Sequence, residues 1–172
     1  MDAVHSAEDF ATVIADPDGV PPHADDQLNH LARLWFAHLE RDALPSRAEI
    51  DPVDFPRLLP GVMLLDCLRD GGFRIRVAGA HHRDVFGFEP TGLTLVEALP
   101  DIPESEPEWE DARTCRGRCR PVFRDGHMRW RAPGAALRFQ RLLLPIAGSE
   151  RVRVTQLLAA TRIYDGEGRL WR

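Results

Sequence analysis

The sequence predicts an α+β fold: one five-stranded antiparallel sheet, a helical block inserted between strands two and three, and a flanking N-terminal helix. Three observations predict it. Val62 to Leu68 is a near-continuous apolar run, and after Gly71-Gly72 the segment Phe73-Arg74-Ile75-Arg76-Val77 alternates apolar and polar residues. Such a pair reads as a hairpin, its second strand half buried. Residues 79 to 99 are then cut into short helical pieces by Gly87, Pro90 and Gly92, with Pro100 beyond. After Pro121 come three further strands, about 121–130, 136–146 and 151–163, with turns at Asp125-Gly126 and Gly148-Ser149. Helices inserted in this way cover one sheet face and leave room for a small cavity beneath them. The other face needs the leading helix or a second subunit.

The elements follow in order. Residues 1–23 read as a mobile leader with a short amphipathic turn around Phe10, Val13 and Ile14. A single domain spans 24–165, with its flanking helix at 24–42 and its core at 51–164, and 166–172 form a tail. In the flanking helix, Leu28, Leu31, Ala32, Trp35, Phe36 and Leu39 fall on one stripe. That stripe serves either its own core or, through Leu28, Leu31, Trp35 and Leu39, a dimer interface. Asp51-Pro52 is a helix start, with Asp at the cap and Pro at the first position, and the helix is expected to run to Pro60-Gly61. Thr94 to Glu97 and Ser105 to Glu108 both have the capping-box form, in which two side chains satisfy two backbone N–H groups reciprocally. The second box opens a helix through Trp109, Ala112 and Cys115.

Composition narrows the chemistry. The 172 residues suffice for one well-buried core. All 22 basic residues are arginine, which excludes a Schiff-base lysine, a cofactor-anchoring lysine and a phosphate-loop lysine. The net charge of −5 opposes bulk polyanion binding. Charge is nevertheless segregated. An acidic stretch from Asp101 to Asp111 precedes Arg113, Arg116, Arg118, Arg120, Arg124, Arg129 and Arg131. Solvated faces, or arginines pairing with the acidic stretch, are the simpler expectation; an arginine-rich nucleic-acid surface with Phe123 and Trp130 is the least favoured. Cys67, Cys115 and Cys119 make an odd count, and nothing resembles an export signal or membrane span. The chain is expected in the cytoplasm with reduced thiols.

The landmarks from Trp35 onward carry a resemblance. They are Leu44-Pro45-Ser46-Arg47-Ala48-Glu49-Ile50-Asp51-Pro52, Leu58-Leu59-Pro60, Arg74-Ile75-Arg76-Val77-Ala78-Gly79, Phe86-Gly87, Thr91-Gly92 and Leu143-Leu144-Pro145-Ile146. In this order they resemble a bacterial PAS-like domain family, subtype 5, over residues 28 to 160. The resemblance implies a PAS-like sheet and a sensory or docking role without catalysis. With no recognisable output domain in the chain, it implies a stand-alone regulatory module acting through a small ligand, a protein partner or a homodimer. His81-His82 and the charged stretch 101–134 depart from the family pattern.

Candidate ligand-lining residues are Phe73, Ile75 and Val77 of one strand face, Phe86 and Phe88 of the helical block, and Leu143 and Leu157 of the late strands. Arg76 could clamp a ligand carboxylate, although locking Asp66 or Asp84 is the preferred reading. No catalytic residues, metal ligands or cofactor are assigned. Serines lack a nucleophile elbow, and Cys115 with Cys119 supply too few ligands for a closed metal site. The Asn-Cys-Arg-Phe-Leu type of motif that flavin-binding light sensors of the PAS class carry is absent. The main rival is a small pocket enzyme of the ketosteroid-isomerase type. It expects a buried Asp or His with a shifted pKa, drawn from His81, His82 or Asp84.

Overall fold

Six strands form one antiparallel sheet in the order β1-β4-β5-β6-β2-β3 in the computed structural model, which describes residues 9–102, 106–128 and 137–171. They are β1 (Phe10–Val13), β2 (Val62–Cys67), β3 (Phe73–Ala78), β4 (Val122–His127), β5 (Arg138–Ala147) and β6 (Val154–Tyr164). The α-helices are α1 (Asp26–Ala37), α2 (Ala80–Phe86), α3 (Leu95–Ala98) and α4 (Pro107–Arg118). The expected five strands are β2 to β6, with α2, α3 and α4 between the second and third of them.

The sixth strand corrects the reading of residues 10–13 as part of a mobile leader. Phe10 to Val13 pair with Asp125 to Val122 of β4, and Ile14 is fully buried. The run is short and its apolar residues do not alternate strictly, so the pattern alone carried little strand signal. The tail folds back along the end of β6. Asp165 and Arg169 close a turn, and Trp171 donates its backbone N–H to Ile163 at 2.7 Å.

Helix α1 is shorter than the expected 24–42, because His38 already sits at its C-cap. It packs on the outer face of the sheet. Leu28, Leu31 and Trp35 are fully buried in the chain's own core, and Leu39 packs against the same cluster. The stripe is thus occupied within the protomer and is not exposed to a second copy. Asp25 caps the helix by accepting from Gln27 N, while its carboxylate also meets Arg162 at 3.1 Å.

The helix expected after Asp51 is instead two 3₁₀ turns, Pro52–Asp54 and Pro56–Gly61. Pro56 and Pro60 lack the N–H donors of an α-helical ladder, and the tighter turns tolerate this. The cap itself forms as expected, with the Asp51 carboxylate accepting from Val53 N at 2.9 Å.

Two glycines of the family landmarks have physical reasons. A Cβ on Gly79 would lie 2.4 Å from the Pro60 carbonyl oxygen, so the strand end and the 3₁₀ turn meet only without a side chain. Gly87 ends α2 with φ of 78°, the left-handed C-cap conformation. The Pro45–Ile50 loop is pinned likewise. Glu49 accepts from both Ser46 N and Ser46 Oγ, Arg47 donates to Ile50 O, and Ala147 N donates to Pro45 O.

Candidate ligand cavity

Alternation along the strands decides which side chains face inward. Phe139, Arg141 and Leu143 of β5, Ala159 and Thr161 of β6, and Met63 and Leu65 of β2 share the face opposite α1. The helical block closes over them. Its contribution is His82, Val85 and Phe86 from α2, Leu95 and the nearby Leu99 from α3, and Glu108, Trp109 and Ala112 from α4. Between the two layers lies a cavity of about 90 Å³, completed by Met128 at the end of β4. The capping box at Thr94 forms as expected: Thr94 N donates to Glu97 at 2.7 Å and Glu97 N to Thr94 Oγ1 at 3.3 Å. It fixes the start of α3 and with it Leu95. Ser105 lies outside the described residues, and α4 begins from Glu106 without a side-chain cap, Pro107 standing at its first position.

Of the residues expected to line a ligand site, Phe86 and Leu143 border this cavity. Phe73, Ile75 and Leu157 are buried on the same sheet face but are absorbed into core packing beyond the cavity. Val77 goes elsewhere. Leu65 pairs with Ile75 while Leu64 pairs with Val77, so Arg76 is an extra residue in β3. This bulge reverses the alternation after Ile75. Val77 therefore shares the outer face with Leu64, is 49% exposed, and borders a shallow groove with Leu59, Val62 and Leu158. Phe88 is also largely exposed, its ring set edge-on to Phe86. Arg76 adopts the locking arrangement, 3.3 Å from Asp66, whose other oxygen accepts from Gln156.

The polar wall of the cavity is an ion cluster. Arg124 and Arg141 are directly opposed across β4 and β5, a repulsive arrangement unless something intervenes. Asp111 of α4 intervenes. It accepts two hydrogen bonds from Arg124 and one from Arg141 at 2.8 Å, and it is nearly fully buried. Here the acidic and basic stretches of the sequence do pair. Other arginines are also used internally: Arg116 donates to Leu68 O, and Arg138 pairs with Asp125. Phe123 is fully buried, and Trp130 lies outside the described residues.

His82 turns inward and His81 does not, as the helical twist between neighbours requires. The His82 Nε2–H donates to Gly61 O at 2.8 Å. Burial holds its pKa down at about 4 despite that bond, so the ring is neutral at pH 7. His81 is also lowered, chiefly by desolvation, and Asp84 is exposed. None of the three cysteines lines the cavity. Burial pushes the Cys67 thiol up to about 11 and holds the Cys115 thiol well above its ordinary value. Among the described residues, no group of three His, Cys, Asp or Glu is placed to hold a metal ion, and no helix is long and apolar enough to cross a membrane.

Sequence reading missed most of the lining. Trp109, Leu95 and Val85 carried only an ordinary apolar-helix signal, and Arg141 and Thr161 are polar residues inside strands. Those two were the available clue, since a polar side chain in an apolar central strand needs a partner.

The fold agrees with what this chain is similar to. The solved structure of an RNA-binding light-oxygen-voltage receptor matches with a TM-score of 0.50 at 14% identity, over 90% of this chain. This chain spans 38% of that one, so the likeness is one of fold. The light-state structure of the blue-light photoreceptor Aureochrome1 LOV matches at 14% identity with a TM-score of 0.45, over 64% of this chain and 86% of that one. A search of curated proteins finds no match. A family model described as a PAS domain matches residues 24–159, and the chain belongs to that family of PAS domains.

Proposed function

We propose that this chain is a cytoplasmic sensory and regulatory module. It takes a small ligand into the cavity beneath α2, α3 and α4, signals to a protein partner, acts as a homodimer and catalyses no reaction itself. The observation that carries the reading is the cavity: mostly apolar walls with a few polar groups, the usual make-up of a small-molecule site. Its roof is helical and its floor is the sheet, so an occupant touches both layers. A ligand that binds one arrangement of roof and floor more tightly shifts the population toward it, by no more than its difference in affinity. Any pairing of copies would use surfaces other than the buried stripe of α1.

The pocket-enzyme rival has one observation in its favour, since His82 is buried with a lowered pKa. The hydrogen bond to Gly61 O gives that histidine a structural partner, and Asp84 lies outside the cavity, so the sensory reading is preferred.

Native mass spectrometry of freshly purified chain, with an absorbance spectrum, tests the proposal. The expected result is a bound small molecule released on denaturation, or an empty chain whose melting temperature rises with small apolar compounds. An empty chain that no such compound stabilises would sink it.

A further inference from the structure

Among the described residues, three buried side-chain polar atoms have no hydrogen-bond partner: Asn29 Oδ1, Trp109 Nε1 and Arg141 Nε. Two of the three belong to residues that line the cavity, one from its roof and one from its floor. Both are donors. An indole N–H and a guanidinium Nε–H can only donate, so neither can be satisfied by another donor. A buried donor left unpaired costs about 1–3 kcal/mol, and native interiors seldom carry one without reason. Two on the same cavity call for an acceptor inside it.

The rest of the wall says what bears that acceptor. Met63, Leu65, Val85, Leu95, Leu99 and Leu143 offer no polar side-chain atoms, so the body of the occupant is hydrocarbon. The volume limits its size. About 90 Å³ is less than the roughly 150 Å³ of an apolar cavity that accommodates benzene. Charge does not demand an anion. Arg124 and Arg141 exceed Asp111 by one positive charge, but Glu108 lines the same cavity and balances it.

Building on the reading of the cavity as a ligand site, we propose that its ligand is a compact molecule of about four non-hydrogen atoms, a short hydrocarbon carrying a carbonyl oxygen, as a ketone or a carboxylate, which accepts from Trp109 Nε1–H and Arg141 Nε–H. The apolar walls take the body, and the two donors fix its orientation. A molecule of the same shape without the oxygen leaves both donors unpaired and is discriminated against.

The test uses the ¹⁵N-labelled 172-residue chain, titrated with acetone, acetate and isobutene, the last replacing the carbonyl oxygen of acetone by a CH₂ group. The assigned Trp109 indole N–H resonance is followed by NMR. The inference expects acetone or acetate to bind about tenfold more tightly than isobutene, with a downfield shift of that resonance. Which of the two binds better tells a neutral from an anionic head group. Trp109→Phe should reduce the preference to less than about threefold while isobutene binding is kept. Equal affinities for all three probes would overturn the acceptor proposal and leave the cavity reading standing. Binding of none would remove the cavity reading, and this inference with it. If Trp109→Phe does not fold, the indole shift in the unaltered chain decides: a resonance unmoved at saturation overturns the proposal.

Discussion

Trp35 donates its indole N–H to the carbonyl oxygen of Pro145 at 2.8 Å, tying α1 to the middle of β5 across the outer face of the sheet. The ring is fully buried, so bond and packing act together. Trp35→Phe keeps most of the packing and orphans a buried carbonyl, which should cost about 1–3 kcal/mol. Trp35→Ala also opens a cavity, for a loss of about 3–5 kcal/mol. Urea unfolding of both variants separates the two contributions, and a Trp35→Phe variant as stable as the parent would show that the hydrogen bond contributes little.

Asp111 is the shared acceptor of Arg124 and Arg141. Asp111→Asn leaves two mostly buried guanidinium groups facing each other, and about 3–5 kcal/mol should be lost. Raising the salt concentration should recover only a small part, because the cluster is shielded from solvent ions. A variant as stable as the parent would place the cluster outside the chain's energetics.

Stability should fall with acid in a window set by His82. Its pKa is about 4 in the folded chain against 6.5 for the free side chain, so the unfolded chain binds the proton more readily. Stability is therefore fully present above pH 6.5 and lost as pH falls toward 4, by about 3 kcal/mol in all. His82→Gln, which keeps a donor for Gly61 O, should flatten this segment of the profile. Chemical denaturation from pH 4 to 7 on both chains makes the comparison. Parallel profiles would assign the acid sensitivity to other groups.

Gly79→Ala should destabilise by about 1–3 kcal/mol, since the new methyl group meets backbone carbonyls of Leu59 and Pro60, which have little room to move. Gly71 lies in an exposed turn where a Cβ meets nothing, though its φ of 92° disfavours alanine. The two substitutions thus compare steric conflict with backbone strain. Circular-dichroism melts should rank Gly79→Ala as the more damaging.

Much of this architecture was legible because it rests on periodicity and punctuation. The alternation of Phe73 to Ile75, the Thr94 capping box and the turn at Gly148-Ser149 are local signals with local causes, whereas Asp125-Gly126, read as a turn, lies inside β4 and pairs with Gln140 and Phe139 of β5. The misreadings arose where a distant partner or an extra residue decides the outcome. Val77 continues the written alternation of β3, yet the bulge at Arg76 turns it away, and nothing in the flanking letters announces a bulge. Phe10 to Val13 become a strand because β4 offers an open edge. The cavity was anticipated as a place, beneath the helical block, but its polar lining was not. Arg141 reads as one charge among many until β5 and α4 are brought together around Asp111.

The order of the strands has a kinetic consequence. Leu64 pairs with Leu158, so the centre of the sheet joins two distant parts of the chain. The β2–β3 hairpin and the β4–β5–β6 meander each contain local pairings and can form early, whereas the seam between β2 and β6 carries the loop-closure entropy. The cavity straddles that seam, with Met63 and Leu65 on one side and Ala159 and Thr161 on the other. It exists only once that seam has closed and Thr161 stands beside β2. Whatever occupies it acts on the finished protein alone, slowing its unfolding and leaving its folding rate unchanged.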